Sequence, residues 1–200
     1  MNRVSLSELV EYNDGMGLTY FKRYRMEFDL SDSVPSCGPV PPGYEFIPYS
    51  SGLVREHATA KYESFRQELD ANVFPCPGRR DGCLRLMREI TARATFVPEA
   101  TWLCRFRDSE SGRISPVGTI QGIQIDDWGA VQNVGIDPNH RGHGLGSILL
   151  SRAGQGFQRS GLTRMHLEVT TDNTAAIRLY ERLGFRRARV VYIAAEVAGV

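Results

Sequence analysis

The residues best suited to chemistry lie in a glycine-rich turn, residues 141–146, which reads Arg-Gly-His-Gly-Leu-Gly. A short apolar run ending in an Asp-Pro pair precedes the turn, and proline favours the end of a strand there. Apolar residues then recur every three or four positions from Leu145 to Phe157, which predicts a helix from about Gly146 onward. Because the first-turn N–H groups of a helix lack backbone partners, this turn is typical of an anion-binding site.

The side chains of the turn favour a phosphate ligand. Glycines at 142, 144 and 146 would let a phosphate approach the backbone donors closely, and Arg141 adds a positive charge. A plain helix start, in which glycines serve tight packing, explains the same spacing and stays open. A dinucleotide fingerprint fits poorly, because its third glycine would fall three residues after Gly144, where this sequence has Ser147. A Walker loop would need a lysine, which this turn lacks.

Composition bounds the class of protein. The chain has 200 residues, 42% of them hydrophobic, which suits one sizeable domain with a small extension. Its net charge of +1 gives no electrostatic reason to expect a nucleic-acid or membrane partner. The cysteines at 37, 76, 83 and 104 form no Cys-x-x-Cys pair, so we expect no metal site. We expect a cytoplasmic protein, because no signal peptide or membrane span is evident.

The first 42 residues are predicted to form an extension to a domain at residues 43–200. Residues 5–12 favour a short helix, and residues 34–42 are rich in proline and glycine and favour a linker. Between them, residues 18–30 alternate apolar and charged side chains. Period two over this length predicts a long, half-buried antiparallel strand.

The elements that must position the glycine-rich turn follow in a strand-and-helix order. Strands are predicted at residues 44–49, 101–107, 117–125, 130–137, 165–170 and 186–197, and helices at 52–70, 81–94, 146 onward and 174–183. The first helix would bury an apolar stripe of Val54, Ala58, Tyr62, Phe65 and Leu69, the second would be capped by Asp81, and a loop at residues 74–78 would join them. This order predicts an α+β fold with a central mixed sheet.

Two motifs together resemble the GNAT superfamily of acyl-CoA N-acyltransferases. The first is Arg-x-x-Gly-x-Gly, held by Arg141, Gly144 and Gly146. The second is Asn-x-x-Ala-x-x-Leu-Tyr-x-x-x-Gly-Phe over residues 173–185, similar to the version in ribosomal-protein N-terminal alanine acetyltransferases. The resemblance covers about residues 44–200. It implies a central mixed, mostly antiparallel sheet flanked by helices, here with an extra N-terminal strand.

The resemblance also implies acetyl-CoA as acyl donor and a set of residues that hold it. The strand that precedes the turn is expected to splay from its neighbour, so that its backbone binds pantetheine and the thioester carbonyl. The expected donor-binding residues are Val134, Gly135, Ile136, Arg141, Gly142, His143, Gly144, Leu145, Gly146, Ser147 and Asn173. A simple helix cap is an equally good explanation of Asn173.

Two residues are candidates for proton transfer. The resemblance implies that Tyr180 is the general acid for the leaving thiolate, although an aromatic residue on an apolar helix face has the same spacing. Glu168 lies twelve residues before Tyr180, as does the proposed base of the alanine acetyltransferases, but it also suits a structural ion pair. Gln132 and Asn133 cannot accept a proton and could instead position a water molecule.

The amine acceptor is expected to meet the first two helices and the loop between them. The candidate acceptor-binding residues are Tyr62, Phe65, Arg66 and Gln132, with Glu63, Glu68 and Asp70 nearby. A solvated helix face explains most of these charges equally well. His140 and His143 are expected to face solvent, with contact to a CoA phosphate left open.

One departure from the family concerns the end of the sheet. After Gly184 sixteen residues remain, which is short for the usual closing pair of strands. We therefore predict that the strand at residues 18–30 fills the missing place, either in its own subunit or across a homodimer.

The predicted function is acetyl transfer from acetyl-CoA to a primary amine of a small molecule, a protein N-terminus or a lysine. The alternative is an acyl-CoA-binding sensor or scaffold without turnover, which would not need both Tyr180 and Glu168. A third option, transfer to aminoacyl-tRNA, would need a basic surface, and the near-neutral charge disfavours it.

Overall fold

The computed structural model describes residues 18–66 and 79–196. The predicted helix at residues 5–12, the loop at 74–78, the side chains of Glu68, Leu69 and Asp70, and Val197 lie outside the described residues. For the same reason the predicted helix at residues 52–70 can be followed only as far as residue 66.

Seven strands and four helices make up the described residues. The strands are β1 Leu18–Asp29, β2 Tyr44–Pro48, β3 Phe96–Arg107, β4 Ile114–Ile125, β5 Trp128–Ile136, β6 Arg164–Thr170 and β7 Arg186–Glu196. The helices are α1 Val54–Phe65, α2 Arg80–Thr91, α3 Leu145–Arg159 and α4 Thr174–Arg182. Short 3₁₀ turns at Ser51–Leu53 and Pro138–His140 precede α1 and follow β5.

All seven strands form one sheet in the order β2-β3-β4-β5-β6-β1-β7. Neighbouring strands are antiparallel except β5 and β6, which run parallel. The predicted α+β fold with a mixed, mostly antiparallel sheet is confirmed, including the extra N-terminal strand.

Strand β1 lies inside the sheet, between β6 and β7, and pairs antiparallel with both. It therefore occupies the place predicted for it, and it does so within its own chain. Its alternation has the expected consequence, because Met26 is fully buried and Phe28 packs on Phe185 with 5.3 Å between ring centroids. The boundary at residue 42 and the homodimer stay predictions.

Strands β5 and β6 pair over a very short length. The ladder joins Gly129 to Met165 and Ala130 to His166, while β5 continues to Ile136 and β6 to Thr170. Beyond Ala130 the parallel strands diverge, so the facing edge of β5 offers its N–H and C=O groups to something other than β6.

Helix α3 packs on one face of the sheet and forms the main core with it. Phe157 is fully buried, and a Cβ at Gly129 would lie 2.5 Å from its ring. A Cβ at Gly156 would lie 2.0 Å from the carbonyl oxygen of Glu99 in β3. These glycines bring the last turn of α3 against the backbone of the sheet.

Helices α1 and α2 cover the opposite face. The predicted apolar stripe of α1 is correct only for its contact with α2, where Val54, Ala58 and Tyr62 meet Cys83 and Met87. Besides Phe65, which packs against β5, helix α1 also buries polar side chains. Its buried residues are His57, Ala58, Ala60, Lys61 and Ser64. Apolar periodicity did not indicate these side chains because buried polar residues do not add to an apolar stripe.

One predicted strand boundary and one predicted helix cap were wrong. Strand β3 begins at Phe96, five residues earlier than predicted, because Pro98 falls where the ladder to β4 is interrupted between Val97 and Trp102, a position that tolerates proline. Asp81 does not cap α2. The residue before the helix is Arg79, with no side-chain cap, and Asp81 lies in the first turn.

Candidate active site

A cleft of about 260 Å³ opens where β5 and β6 diverge. Strand β5 forms one wall, the end of α1 and the start of α3 form its rim, and α4 closes the far side. The residues that line it are Ser64, Phe65, Val134, Gly135, Ile136, Arg141, Gly146, Leu150, Asn173, Ala175, Ala176, Leu179 and Tyr180. Eight of the residues predicted from sequence therefore meet in one place.

The glycine-rich turn has the geometry that its spacing predicts. Gly142 and Gly144 adopt φ values of 83° and 75°, which only glycine adopts without strain. Gly144 is the residue before α3, and the first helical bond runs from Ile148 N to Gly144 O at 3.2 Å. The preceding N–H groups, of residues 145–147, have no carbonyl of the helix to bond, so they are donors for an anion.

Arg141 has a structural task besides its charge. Its Nε donates to the carbonyl oxygen of Ile136 at 3.1 Å, and its Nη2 donates to that of Ser64 at 3.1 Å. The side chain thus ties the end of β5 to the last turn of α1. The predicted contact with phosphate stays a prediction.

Gly135 makes room for helix α1. A Cβ at this position would lie 2.7 Å from Ser64 Cβ and 2.7 Å from the Phe65 ring. We expected the glycine to admit pantetheine, but the packing of α1 against β5 already requires it.

Asn173 and Tyr180 enter the cleft from α4. Asn173 Oδ1 accepts a hydrogen bond from Ala176 N at 3.1 Å, which is a helix cap, and the residue also lines the cleft. Tyr180 is 8% exposed and its ring lies 6.0 Å from that of Phe185. Its buried ring is therefore held in place while it borders the cleft.

Glu168 lies on β6 but does not line the cleft. Its carboxylate is 3.6 Å from Arg23 Nη1, and its backbone oxygen accepts from Arg23 Nη2 at 2.7 Å. The side chain is 30% exposed. This geometry supports the structural ion pair, and the role as base stays a prediction.

Several predicted residues lie outside the cleft. Tyr62 lies under the guanidinium of Arg80 at 4.7 Å, and Arg66 is ion-paired with Glu63 at 2.9 Å on the outer side of α1. Their predicted role in acceptor binding stays a prediction. The remaining predicted residues that do not line the cleft are Gln132, Gly142, His143, Gly144, Leu145 and Ser147.

Five cleft residues were missed: Ser64, Leu150, Ala175, Ala176 and Leu179. Leu150 lies one helical turn after Gly146, and Ala176 one turn before Tyr180. Helical spacing from the predicted residues could have found these two. Ser64 depends on the rotation of α1, which its apolar pattern did not indicate.

A buried polar network supports α1 behind the cleft. His57 Nδ1 lies 2.8 Å from Thr119 Oγ1, and the Gln121 amide donates to the same hydroxyl. Burial lowers the pKa of His57 to about 3, with a further contribution from the charge of Lys61. His57 is therefore neutral at pH 7.

The two histidines of the turn differ. His143 is exposed, as expected, but His140 is half-buried, with Nδ1 3.0 Å from the Tyr44 hydroxyl. Burial lowers the pKa of His140. The expectation that His140 faces solvent was wrong, because β2 brings an aromatic side chain against it.

Within the described residues, no group of three or more His, Cys, Asp or Glu side chains is placed to hold a metal ion. No helix in the same part of the chain is long and apolar enough to cross a membrane.

A mixed sheet that parts between two parallel strands, above a glycine-rich helix start, is the architecture of acyl-CoA N-acyltransferases. The chain belongs to the acetyltransferase (GNAT) family, whose family model matches residues 62–185. This confirms the resemblance seen in the motifs, and with it the class of enzyme.

Similar proteins include the ribosomal protein bS18 alanine N-acetyltransferase of Escherichia coli, which is 32% identical over 85 residues, 42% of this chain and 56% of that protein. The mycothiol acetyltransferase of Thermobispora bispora is 53% identical over 60 residues, 30% of this chain and 20% of that protein. The chain thus spans between a fifth and about half of the length of these relatives.

Solved structures share the fold. A GCN5-related N-acetyltransferase from Sphaerobacter thermophilus matches with a TM-score of 0.63 and 23% identity, covering 94% of this chain and 56% of that one. The E. coli ribosomal-protein alanine N-acetyltransferase matches with a TM-score of 0.53 and 15% identity, covering 78% of this chain and 96% of that one.

Proposed function

We propose that this protein transfers an acetyl group from acetyl-CoA to a primary amine by direct attack, with Tyr180 as general acid. The observation that carries the proposal is the divergence of β5 and β6 beyond Ala130, which opens the cleft that Tyr180 borders. The names of the relatives differ in their acceptors, so the identity of the amine is not carried over from them.

The cleft suits the donor in three respects. The free edge of β5 presents backbone groups that can pair with the amides of pantetheine, as a neighbouring strand would. The N–H groups at the start of α3 can hold the pyrophosphate. Leu150, Ala176 and Leu179 supply an apolar wall between these polar ends.

The chemical step needs one bond formed and one broken. The neutral amine attacks the thioester carbonyl carbon, and backbone donors of β5 stabilise the charge that develops on the oxygen. The carbon–sulfur bond then breaks, and the phenol of Tyr180 gives its proton to the departing thiolate. The amine loses its excess proton to a base, and Tyr180 is reprotonated from solvent.

Two routes for removing the amine proton are compatible with the geometry. Glu168 stands on β6 at the divergence, but Arg23 engages its carboxylate. Asn133 is half-buried on the facing strand β5 and Gln132 is exposed, so either amide could orient a water molecule. Of these groups, Glu168 alone can accept the proton.

A thiol-release assay with acetyl-CoA and a panel of primary amines tests the proposed function, with acetyl-CoA binding measured in parallel by isothermal titration calorimetry. We expect binding and amine-dependent release of CoA. Binding without turnover on any amine would favour the sensor or scaffold instead. Absence of binding would reject both functions.

A further inference from the structure

A second pocket, of about 340 Å³, lies on the sheet face that carries Glu168. Its lining residues are Arg25, Glu27, Ile125, Asp126, Asp127, Trp128 and Arg189, and we call it the arginine pocket. It is built from β1, β7 and the turn between β4 and β5. The proposed function gives this pocket no task.

The pocket lies beside the point where β5 and β6 part. Trp128 directly precedes Gly129 and Ala130, the residues of β5 that pair with β6. Glu27 is opposite His166 in the ladder between β1 and β6. In the same ladder Arg25 stands opposite Glu168. Leu167 and Val169 belong to the core under α3, so Glu168 and its ladder partner Arg25 face the other side, where α1 and α2 pack.

Two arginines face each other in this pocket. Arg25 on β1 is directly opposite Arg189 on β7. Like charges in directly opposite positions of an antiparallel pair repel and destabilise it. Such an arrangement is relieved when an anion binds between the two guanidinium groups.

The donors of these arginines are only partly used. The Arg25 side chain is 12% exposed, lies 4.9 Å from the Trp128 ring centroid and donates from Nε to Glu27 at 2.7 Å. Among the described residues, the bond to Glu27 is the one hydrogen bond that the Arg25 side chain makes, and the Arg189 side chain makes no hydrogen bond. The Nη groups of Arg25, held by Trp128, are therefore ready donors.

Three carboxylates share the rim with the two arginines, and the ion pairs among these groups leave Arg189 without a carboxylate partner within the described residues. Glu27 is engaged by Arg25, and Asp127 is ion-paired with Arg164. Asp126 is exposed on the turn, where solvent screens it.

His166 lies under the same two arginines. It is 5% exposed, and its ring is 5.9 Å from that of Trp128. Burial, together with the charges of Arg25 and Arg189, lowers the pKa of His166 to about 4, while the charge of Glu27 opposes this shift. Both ring nitrogens lack a hydrogen-bond partner among the described residues, so neutral His166 adds a polar floor to the pocket.

We propose that the arginine pocket binds an anionic group of the acceptor, so that the substrate class is an amine that also carries a carboxylate or a phosphate. This rests on the proposed function. Arg189 is two strands away from Glu168, which corresponds to ~10 Å across the sheet. We expect the amine and the anionic group of the acceptor to be separated by a similar distance.

Matched acceptor pairs test the proposal in the thiol-release assay. The pairs are 6-aminohexanoate with hexylamine, and 6-aminohexyl phosphate with 6-aminohexanol, so that the two members of each pair differ in the anion and the chain can span the expected separation. We expect the anionic member of at least one pair to have the higher kcat/KM, and the pair that shows it identifies the anion.

The variant Arg189→Gln should raise KM for the anionic member about tenfold or more, and change the neutral member less than about twofold. Arg25→Lys keeps the charge but loses the planar fork, and should raise KM less. Arg113→Gln removes an exposed arginine from the turn between β3 and β4 and is the control, with both members unchanged.

Acetylation of neutral amines as fast as of their anionic partners, with no selective effect of Arg189→Gln, would overturn this inference and leave the proposed function standing. Acetylation of neither kind of amine, despite acetyl-CoA binding, would overturn both.

Discussion

The cleft and the arginine pocket meet β5 at different points, the cleft at residues 134–136 and the pocket at Trp128, and they are built in different ways. The cleft presents mostly backbone groups, from β5 and from the start of α3, with Tyr180 as its one phenol. The arginine pocket presents side chains brought together by β1, β7 and a hairpin turn. One region is suited to a constant donor molecule, and the other to a choice between acceptors.

Each region also rests on a buried, neutral histidine, but the two histidines are held differently. His57 behind the cleft is bonded to Thr119 at 2.8 Å, whereas His166 under the arginine pocket has no hydrogen bond to a described residue. His57 Nε2 also lacks a hydrogen-bond partner among the described residues, so the difference is that one ring nitrogen of His57 is anchored and neither nitrogen of His166 is. An anchored ring holds one orientation, whereas a ring with no hydrogen bond can accept one from a bound group. The comparison therefore predicts a more rigid donor site than acceptor site.

The largest expected effect is on catalysis in the cleft. Tyr180→Phe removes the proposed proton donor and keeps the ring that packs near Phe185, so kcat should fall about 10²-fold with little change in KM for acetyl-CoA. Steady-state kinetics measure this. Tyr192→Phe, on an exposed tyrosine of β7, is the control. A Tyr180→Phe enzyme with native kcat would show that the phenol is not the acid.

A backbone-built site should be sensitive to an added methyl group. Gly135→Ala places a Cβ 2.7 Å from Ser64 and Phe65, and should lower the free energy of unfolding by about 2–3 kcal/mol as α1 is pushed away. Urea denaturation measures the change. Gly146→Ala, whose Cβ would lie 3.6 Å from the Leu179 side chain, an ordinary contact distance, is the matched control in the same cleft. Equal stability of the two variants would contradict the packing described for α1.

Acid should destabilise the protein through its neutral histidines. The folded-state pKa of His57 is about 3, below the ordinary value of 6.5, so below pH 6.5 the unfolded state binds a proton that the folded state does not. Stability is then lost as the pH falls, by about 2 kcal/mol from His57 at pH 5. In His57→Gln, the loss of unfolding free energy between pH 7 and pH 5 should be smaller by this amount.

The exposed His143 provides the control for that measurement, because His143→Gln should keep the native pH dependence. If His57→Gln keeps it as well, His57 is not a neutral group of the folded state.

The smallest expected effect concerns the base. Glu168→Gln should lower kcat by about tenfold if Glu168 accepts the amine proton. Glu181→Gln removes a carboxylate that is paired with Arg187 in a similar way, and controls for loss of an ion pair. An unchanged rate in Glu168→Gln would show that Glu168 is not the base and that its carboxylate serves only the ion pair with Arg23. The amine proton would then leave through a water molecule.

The sequence could predict the local structure of the proposed donor side because each part of it is local. The run from Val134 to Gly146 contains a strand end, a turn and a helix start, and each has its own backbone signature. The Asn173 cap and the left-handed Gly184 are local in the same way, and both are present.

The acceptor side depends on pairing between distant strands, which local patterns do not encode. In the sequence, Arg25 is one of several charged residues on the polar side of an amphipathic strand, and Arg189 belongs to a run of basic residues. Their juxtaposition follows from the insertion of β1 beside β7, with Arg25 in register with Arg189. The buried polar residues of α1 were missed for a related reason, since His57 Nδ1 is hydrogen-bonded to Thr119, a residue on another element.

A crystal structure with bound acetyl-CoA tests the central claim most directly. Pantetheine should lie between β5 and β6, with the pyrophosphate on the N–H groups that open α3 and the thioester sulfur about 3–4 Å from the Tyr180 hydroxyl. Acetyl-CoA bound away from the parting of the two strands, or with its sulfur remote from Tyr180, would contradict the account.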